Sequence, residues 1–166
     1  MEETQWDVAA VKEWLAEYRE KERDIDNQIE RLERFVTKMT AAGAQVISDM
    51  PRSTGSTGDR IGDMVSRKEE LENSIRAEVR RQSEKRKLIE SILARLRRSD
   101  EKAVIRMRYI DREGWSVVAE LMFGSRDDYD GKEDTYLRRV HKVHGAALQN
   151  MAQAMNEDPN MPAPAE

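Results

Sequence analysis

From Trp6 to Ala42 the chain contains neither glycine nor proline, and its apolar side chains recur at a helical interval. Val11, Leu15, Tyr18, Ile25, Ile29, Leu32, Val36 and Met39 are spaced 4, 3, 7, 4, 3, 4 and 3 residues apart. This is the a/d rhythm of a heptad seam, with one polar interruption at Glu22. Lys, Arg, Glu, Asp and Gln fill the positions between. A helix with so narrow an apolar stripe is not stable alone in water and must bury that stripe on another helix. Composition agrees. Charged residues make up 37% and the hydrophobic class only 38%, with 5% aromatics, against about a quarter charged in an ordinary domain. That argues against one large core and for an elongated all-α protein.

The expected partner is the stretch from about Asp59 to Arg98, which lacks proline and has Gly62 as its only glycine. Its weaker seam runs through Met64, Leu71, Ile75, Val79, Leu88, Ile89, Ile92, Leu93 and Leu96, broken by Gln82, Lys85 and Arg86. Between the two stretches, Gly43, Pro51, Gly55 and Gly58 with their Ser and Thr neighbours predict a loop over 43–58. A long, coiled-coil-like helical hairpin over 1–98 is the economical arrangement. The same seams serve equally well for pairing between two chains. The segment Gly55 to Arg60 has too few residues between its glycines, and no lysine, for a phosphate loop. It reads as linker.

A second region is predicted over 99–155. Ser99 is placed to cap a helix, with Asp100 and Glu101 at its positive end and the helix running to about Asp111. Ser116 is placed to cap a short helix from Val117 to Phe123, and Gly124 to stop it. A polar turn follows, then a third helix from about Asp134 to Met155. Its apolar face is Leu137, Val140, Val143, Ala147, Leu148, Met151 and Met155, and its first turns carry Thr135, Arg138, Arg139, His141 and Lys142. The order of short helix, turn and longer helix with a basic start is that of a helix-turn-helix DNA-binding domain. The tail, 156–166, with Pro159, Pro162, Pro164 and three acids, reads as disordered.

Net charge is −4, which excludes a uniformly basic nucleic-acid coat but conceals an asymmetry. Residues 1–59 carry 8 basic and 13 acidic side chains, whereas residues 60–112 carry 16 basic and 10 acidic. Taken alone, a basic middle is a solvated helix face. Followed by a base-reading element, it becomes a phosphate-facing surface.

The run Ile105-Arg106-Met107-Arg108-Tyr109-Ile110-Asp111, followed by Trp115-Ser116-Val117-Val118-Ala119-Glu120-Leu121-Met122, resembles region 4 of bacterial sigma factors. The wider pattern resembles sigma-like phage regulators, the late-gene activators of the ArpU/RinA type. It comprises Trp14-Leu15-Ala16-Glu17-Tyr18-Arg19, the loop Met50-Pro51-Arg52-Ser53-Thr54-Gly55, and His144-Gly145-Ala146-Ala147-Leu148. The resemblance covers about residues 10 to 151. It implies binding to double-stranded promoter or operator DNA, work alongside the host RNA polymerase, and a location in the cytoplasm of a bacterial host. The turn from Gly124 to Glu133 departs from the pattern, being longer and carrying Asp127, Asp128, Asp130 and Glu133.

On this reading Arg138, Arg139 and Lys142 are base or phosphate partners. Thr135 and Tyr136 contact a phosphate or a thymine methyl, Ser125 and Arg126 hold the backbone near the turn, and His141 touches DNA. Trp115 is expected to be a packing residue. One such module buries only about 600–1,000 Å², so a homo-oligomer through the helical half, or RNA polymerase, is expected to assist. A small viral packaging (terminase) subunit that recognises DNA is an alternative. So is a helical protein that binds RNA polymerase without DNA affinity. No catalytic cluster, cofactor motif or metal-ligand pattern is apparent, so an enzyme is not expected. Cysteine is absent, which removes disulfide, thiolate-metal and cysteine-nucleophile chemistry from this chain. No apolar run approaches the roughly 18 residues a membrane helix needs, and the start, Met1-Glu2-Glu3-Thr4, is unlike a signal peptide.

Overall fold

The computed structural model describes the backbone of residues 5–48 and 57–164, and the side chains of 5–44 and 60–164. Among the described residues there is no strand. Five α-helices follow in order: α1 (Val8–Ser48), α2 (Thr57–Arg95), α3 (Ser99–Ile105), α4 (Trp115–Phe123) and α5 (Glu133–Asn156). A π-helical turn, Arg106–Ile110, extends α3. No described helix is long and apolar enough to cross a membrane.

Asp7 starts α1. Its carboxylate accepts a 2.7 Å hydrogen bond from the Ala10 backbone N–H, satisfying one of the free donors at a helix start. The helix continues through Gly43 to Ser48, so the loop expected from residue 43 begins later. Met50 to Gly55, the heart of that loop and one of the stretches that carry the resemblance, lies outside the described residues. Of the Gly55–Arg60 segment read as linker, the part from Thr57 onward belongs to α2.

Packing divides the chain into two compact units, Lys21–Ser83 and the remainder, Met1–Glu20 with Glu84–Glu166. This differs from the boundary expected at 98/99. Within the Lys21–Ser83 unit only Ile25 and Ile75 of the expected seams are buried, and Ile29 and Val79 are exposed. Polar pairs replace them. The interruptions Glu22 and Gln82 meet each other, with Gln82 Nε2 donating to Glu22 at 3.2 Å, and Gln28 donates to Glu78 at 3.0 Å. A polar seam position next to a polar seam position loses apolar burial but leaves no buried donor without an acceptor.

The other unit holds two cores that share α5. In the first, Val11, Leu15 and Tyr18 of α1 pack with Ile89, Ile92, Leu93 and Leu96 at the end of α2 or beyond it. Ile105, Tyr109 and the carboxy-terminal half of α5, Leu148, Met151 and Met155, complete this core. In the second, Val104 of α3, Val118, Ala119 and Phe123 of α4, and Tyr136 and Val140 of α5 pack together. The expected seam of α1 is thus buried from Val11 to Ile25 and not at Ile29, and the amino-terminal turns of α1 pack with α5.

Residues past α5 also pack. Trp6 Nε1 donates to the Pro162 carbonyl at 3.0 Å. Trp6 exchanges two 2.8 Å backbone bonds with the Asn156 amide. Arg95 lies 3.5 Å from Asp158, and Met161 rests on the first core. Within the stretch read as disordered, residues through 164 are described, and Trp6 and Arg95 supply partners to Asn156, Asp158 and Pro162.

Candidate nucleic-acid interface

α4 and α5 form the second core, joined by the turn 124–132. α4 is not capped as expected. Gly114 precedes α4, which begins at Trp115 rather than after Ser116. Likewise α3 begins at Ser99 itself, with Arg98 before it and no side-chain cap. Gly124 closes α4 by a 2.7 Å bond from its N–H to the Glu120 carbonyl. A Cβ there would lie 2.5 Å from that oxygen, so the close approach requires glycine.

The turn is long but ordered. Backbone N–H groups of Arg126, Tyr129 and Lys132 each donate three residues back, and Gly131 adopts φ +89°, a conformation open to glycine. Tyr129 packs against Tyr136, ring centroids 5.4 Å apart. Asp128 pairs with Lys132 at 3.2 Å and accepts a bond from the Tyr136 hydroxyl. These two bonds, Tyr136 first, hold its carboxyl below the usual carboxylate range. Glu133 accepts from the Gly131 N–H at 3.1 Å. Two of the four acids that depart from the family pattern thus serve the turn itself.

The predicted contact residues separate accordingly. Tyr136 is a correction: it is 7% exposed, its ring 5.3 Å from that of Phe123. It belongs to the core, and the α5 register that turns Arg138 and Arg139 outward turns Tyr136 inward. Thr135, Arg138, Arg139, His141 and Lys142 are exposed, as are Ser125 and Arg126 in the turn. Arg139 and Arg126 lie over the Phe123 ring at 5.0 and 5.6 Å. Among the described residues no carboxylate pairs with Arg138, Arg139 or Lys142. The first turns of α5 therefore present three exposed cations without a carboxylate partner among the described residues, and a hydroxyl, with α4 packed beneath.

The motif residues before α4 make contacts within this unit. The π-helical turn, closed by a 2.9 Å bond from the Asp111 N–H to the Arg106 carbonyl, swings Arg108 over Trp115 at 4.5 Å. It also brings Tyr109 to His144, with the hydroxyl and Nε2 sharing a 2.9 Å hydrogen bond. Trp115 is enclosed by Arg108, His141 and His144. It packs, as expected, against the second core. Burial, then the charges of Lys12, His141 and Arg108, push the His144 imidazole down to about 4. Arg106 forms a forked pair with Glu90, its shortest contact 2.7 Å, which holds that carboxyl below its ordinary value.

Sequence reasoning missed one feature. Lys12, Ala16 and Arg19, on one face of α1, line a cleft with Glu20, Arg108, Tyr109, Trp115, His141 and His144. The i, i+4, i+7 spacing of 12, 16 and 19 was the available signal, but those residues had been assigned to a separate region.

Residues 53–139 match the model of a family described as a protein of unknown function, DUF1492. The chain belongs to that family. The DUF1492 match takes in α2, α3, α4 and the start of α5, including Arg138 and Arg139 but not His141 or Lys142. No curated protein and no solved structure matches the chain.

Proposed function

We propose that this DUF1492 protein is a sequence-specific DNA-binding regulator of phage transcription. In this reading α4 and α5 form a helix-turn-helix, and α5 enters the major groove of duplex DNA. The observation that carries the proposal is the exposed, unpaired set Arg138, Arg139 and Lys142 on the first turns of α5. A recognition helix presents its amino-terminal turns to base edges, and an arginine forked onto a guanine gives about 1–3 kcal/mol of discrimination. The likeness to sigma region 4 and to the ArpU/RinA activators adds promoter or operator DNA as the target and host RNA polymerase as a partner. Pairing of α1 with α2 as a helical hairpin, with further copies joining through that half, supplies the extra affinity that one small module lacks.

The test is site selection from a random duplex pool by the full chain. A single enriched motif is expected, and Arg138→Ala/Arg139→Ala is expected to relax it at the guanine positions. Equal enrichment patterns for both proteins would remove α5 as the reading element.

A further inference from the structure

The cleft bordered by α1, the π-helical turn and α5 has a volume of about 400 Å³, within the range of ligand sites. Three of its lining side chains are permanent cations, Lys12, Arg19 and Arg108, against the single carboxylate of Glu20. Among the described residues no carboxylate pairs with any of the three cations. Arg19 and Arg108 each spend one donor on a backbone carbonyl, of Arg112 at 3.2 Å and Glu113 at 2.9 Å. A guanidinium has five donors, so several remain.

The concentration of positive charge is felt by the groups around it. Arg108 is held below its ordinary value, first by burial and then by Arg19. The imidazole of His144 is lowered first by burial and then by Lys12, His141 and Arg108. Gathering like charges beside a part-buried wall opposes folding unless an anion joins them.

The position of the cleft matters as much as its charge. His141 is three residues beyond Arg138, which places it roughly 60° around α5. His141 is exposed and lines the cleft at one flank of the outward face, while Arg139, over Phe123, lies toward the other flank. A helix lying in a major groove has a phosphate backbone along each side.

We propose that this cleft is a phosphate-binding site that seats one backbone phosphate of the duplex read by α5. Lys12, Arg19 and Arg108 supply the charge and N–H donors, and His141 lines the entrance. The inference rests on the DNA-binding reading for its ligand, though not for its phosphate chemistry.

The test uses the full chain and the ring signals of its two histidines in two titrations. With inorganic phosphate against chloride at constant ionic strength, wild type is expected to show a saturable shift of His141 that Lys12→Gln/Arg19→Gln lacks. With duplex DNA, that double variant is expected to bind about tenfold more weakly on selected and scrambled sequences alike, and its log–log salt slope to flatten by about 1. Lys12 is exposed, so Lys12→Gln alone serves if the double variant is poorly folded, with about a threefold loss expected.

No phosphate response, or the same response in wild type and variant, overturns the site. A specific phosphate response with duplex affinity unchanged by the variant overturns the duplex assignment and gives the site to a free phosphorylated molecule. A specific phosphate response in a protein with no duplex affinity supports the phosphate site and removes the DNA-binding reading instead.

Discussion

Lowering the pH from 7.5 to 5 is expected to destabilise the unit containing α5 through His144. In the unfolded chain this imidazole protonates near its ordinary 6.5, and in the folded chain only near 4. Between those values the unfolded state binds more protons, so stability falls as pH falls. At about 1.4 kcal/mol per pH unit, the loss is roughly 2 kcal/mol by pH 5 and levels off at ~3.5 kcal/mol below pH 4. The cause is geometric. His144 is 6% exposed, bonded to and stacked on Tyr109, met edge-on by Trp115, and faced by Lys12, His141 and Arg108. Glu90 acts in the same sense but beneath this window, because Arg106 holds its carboxyl below 4.5.

The assay is urea unfolding at pH 7.5 and 5.0, followed by fluorescence of Trp6, Trp14 and Trp115, all of which belong to this unit. Wild type is expected to lose about 2 kcal/mol more over that interval than His144→Gln, which has nothing there to titrate. Equal pH dependence in the two proteins would refute the account of a neutral, buried imidazole.

Other expectations follow from packing. A fragment of residues 99–155 is expected not to fold cooperatively, because Val11, Leu15, Ile92 and Leu93 fill the core beside Leu148 and Met151; a sharp thermal transition by circular dichroism would contradict this. Leu15→Ala is expected to cost about 2–5 kcal/mol in urea unfolding, since Leu15 is fully buried. Gly131→Ala places a side chain at φ +89° and is expected to cost about 1 kcal/mol; an unchanged unfolding midpoint would show that the turn relaxes freely.

Local signals in the sequence were largely legible, and long-range partnerships were not. The heptad spacing located α1, and Gly124 located the end of α4. The α5 periodicity sorted Arg138, Arg139 and Lys142 from the core positions. It did not place Tyr136, an aromatic one turn before Val140 whose hydroxyl found Asp128. Burial of Val11, Leu15 and Tyr18 against α5 depends on contacts across more than a hundred residues, which no local period encodes. The same separation hid the cleft, whose cations come from α1 and the π-helical turn. The contacts of the tail likewise come from Trp6 and Arg95, far away in the chain.

The most direct test of the central claim is the salt dependence of binding to duplex DNA by fluorescence anisotropy, comparing wild type with Arg138→Ala/Arg139→Ala/Lys142→Ala. Each phosphate contact adds about 0.9 to the log–log slope. The account predicts measurable wild-type affinity at low salt, with a slope steeper than that of the triple variant by about 1 to 3. Identical slopes, or no duplex affinity at low salt, would contradict it.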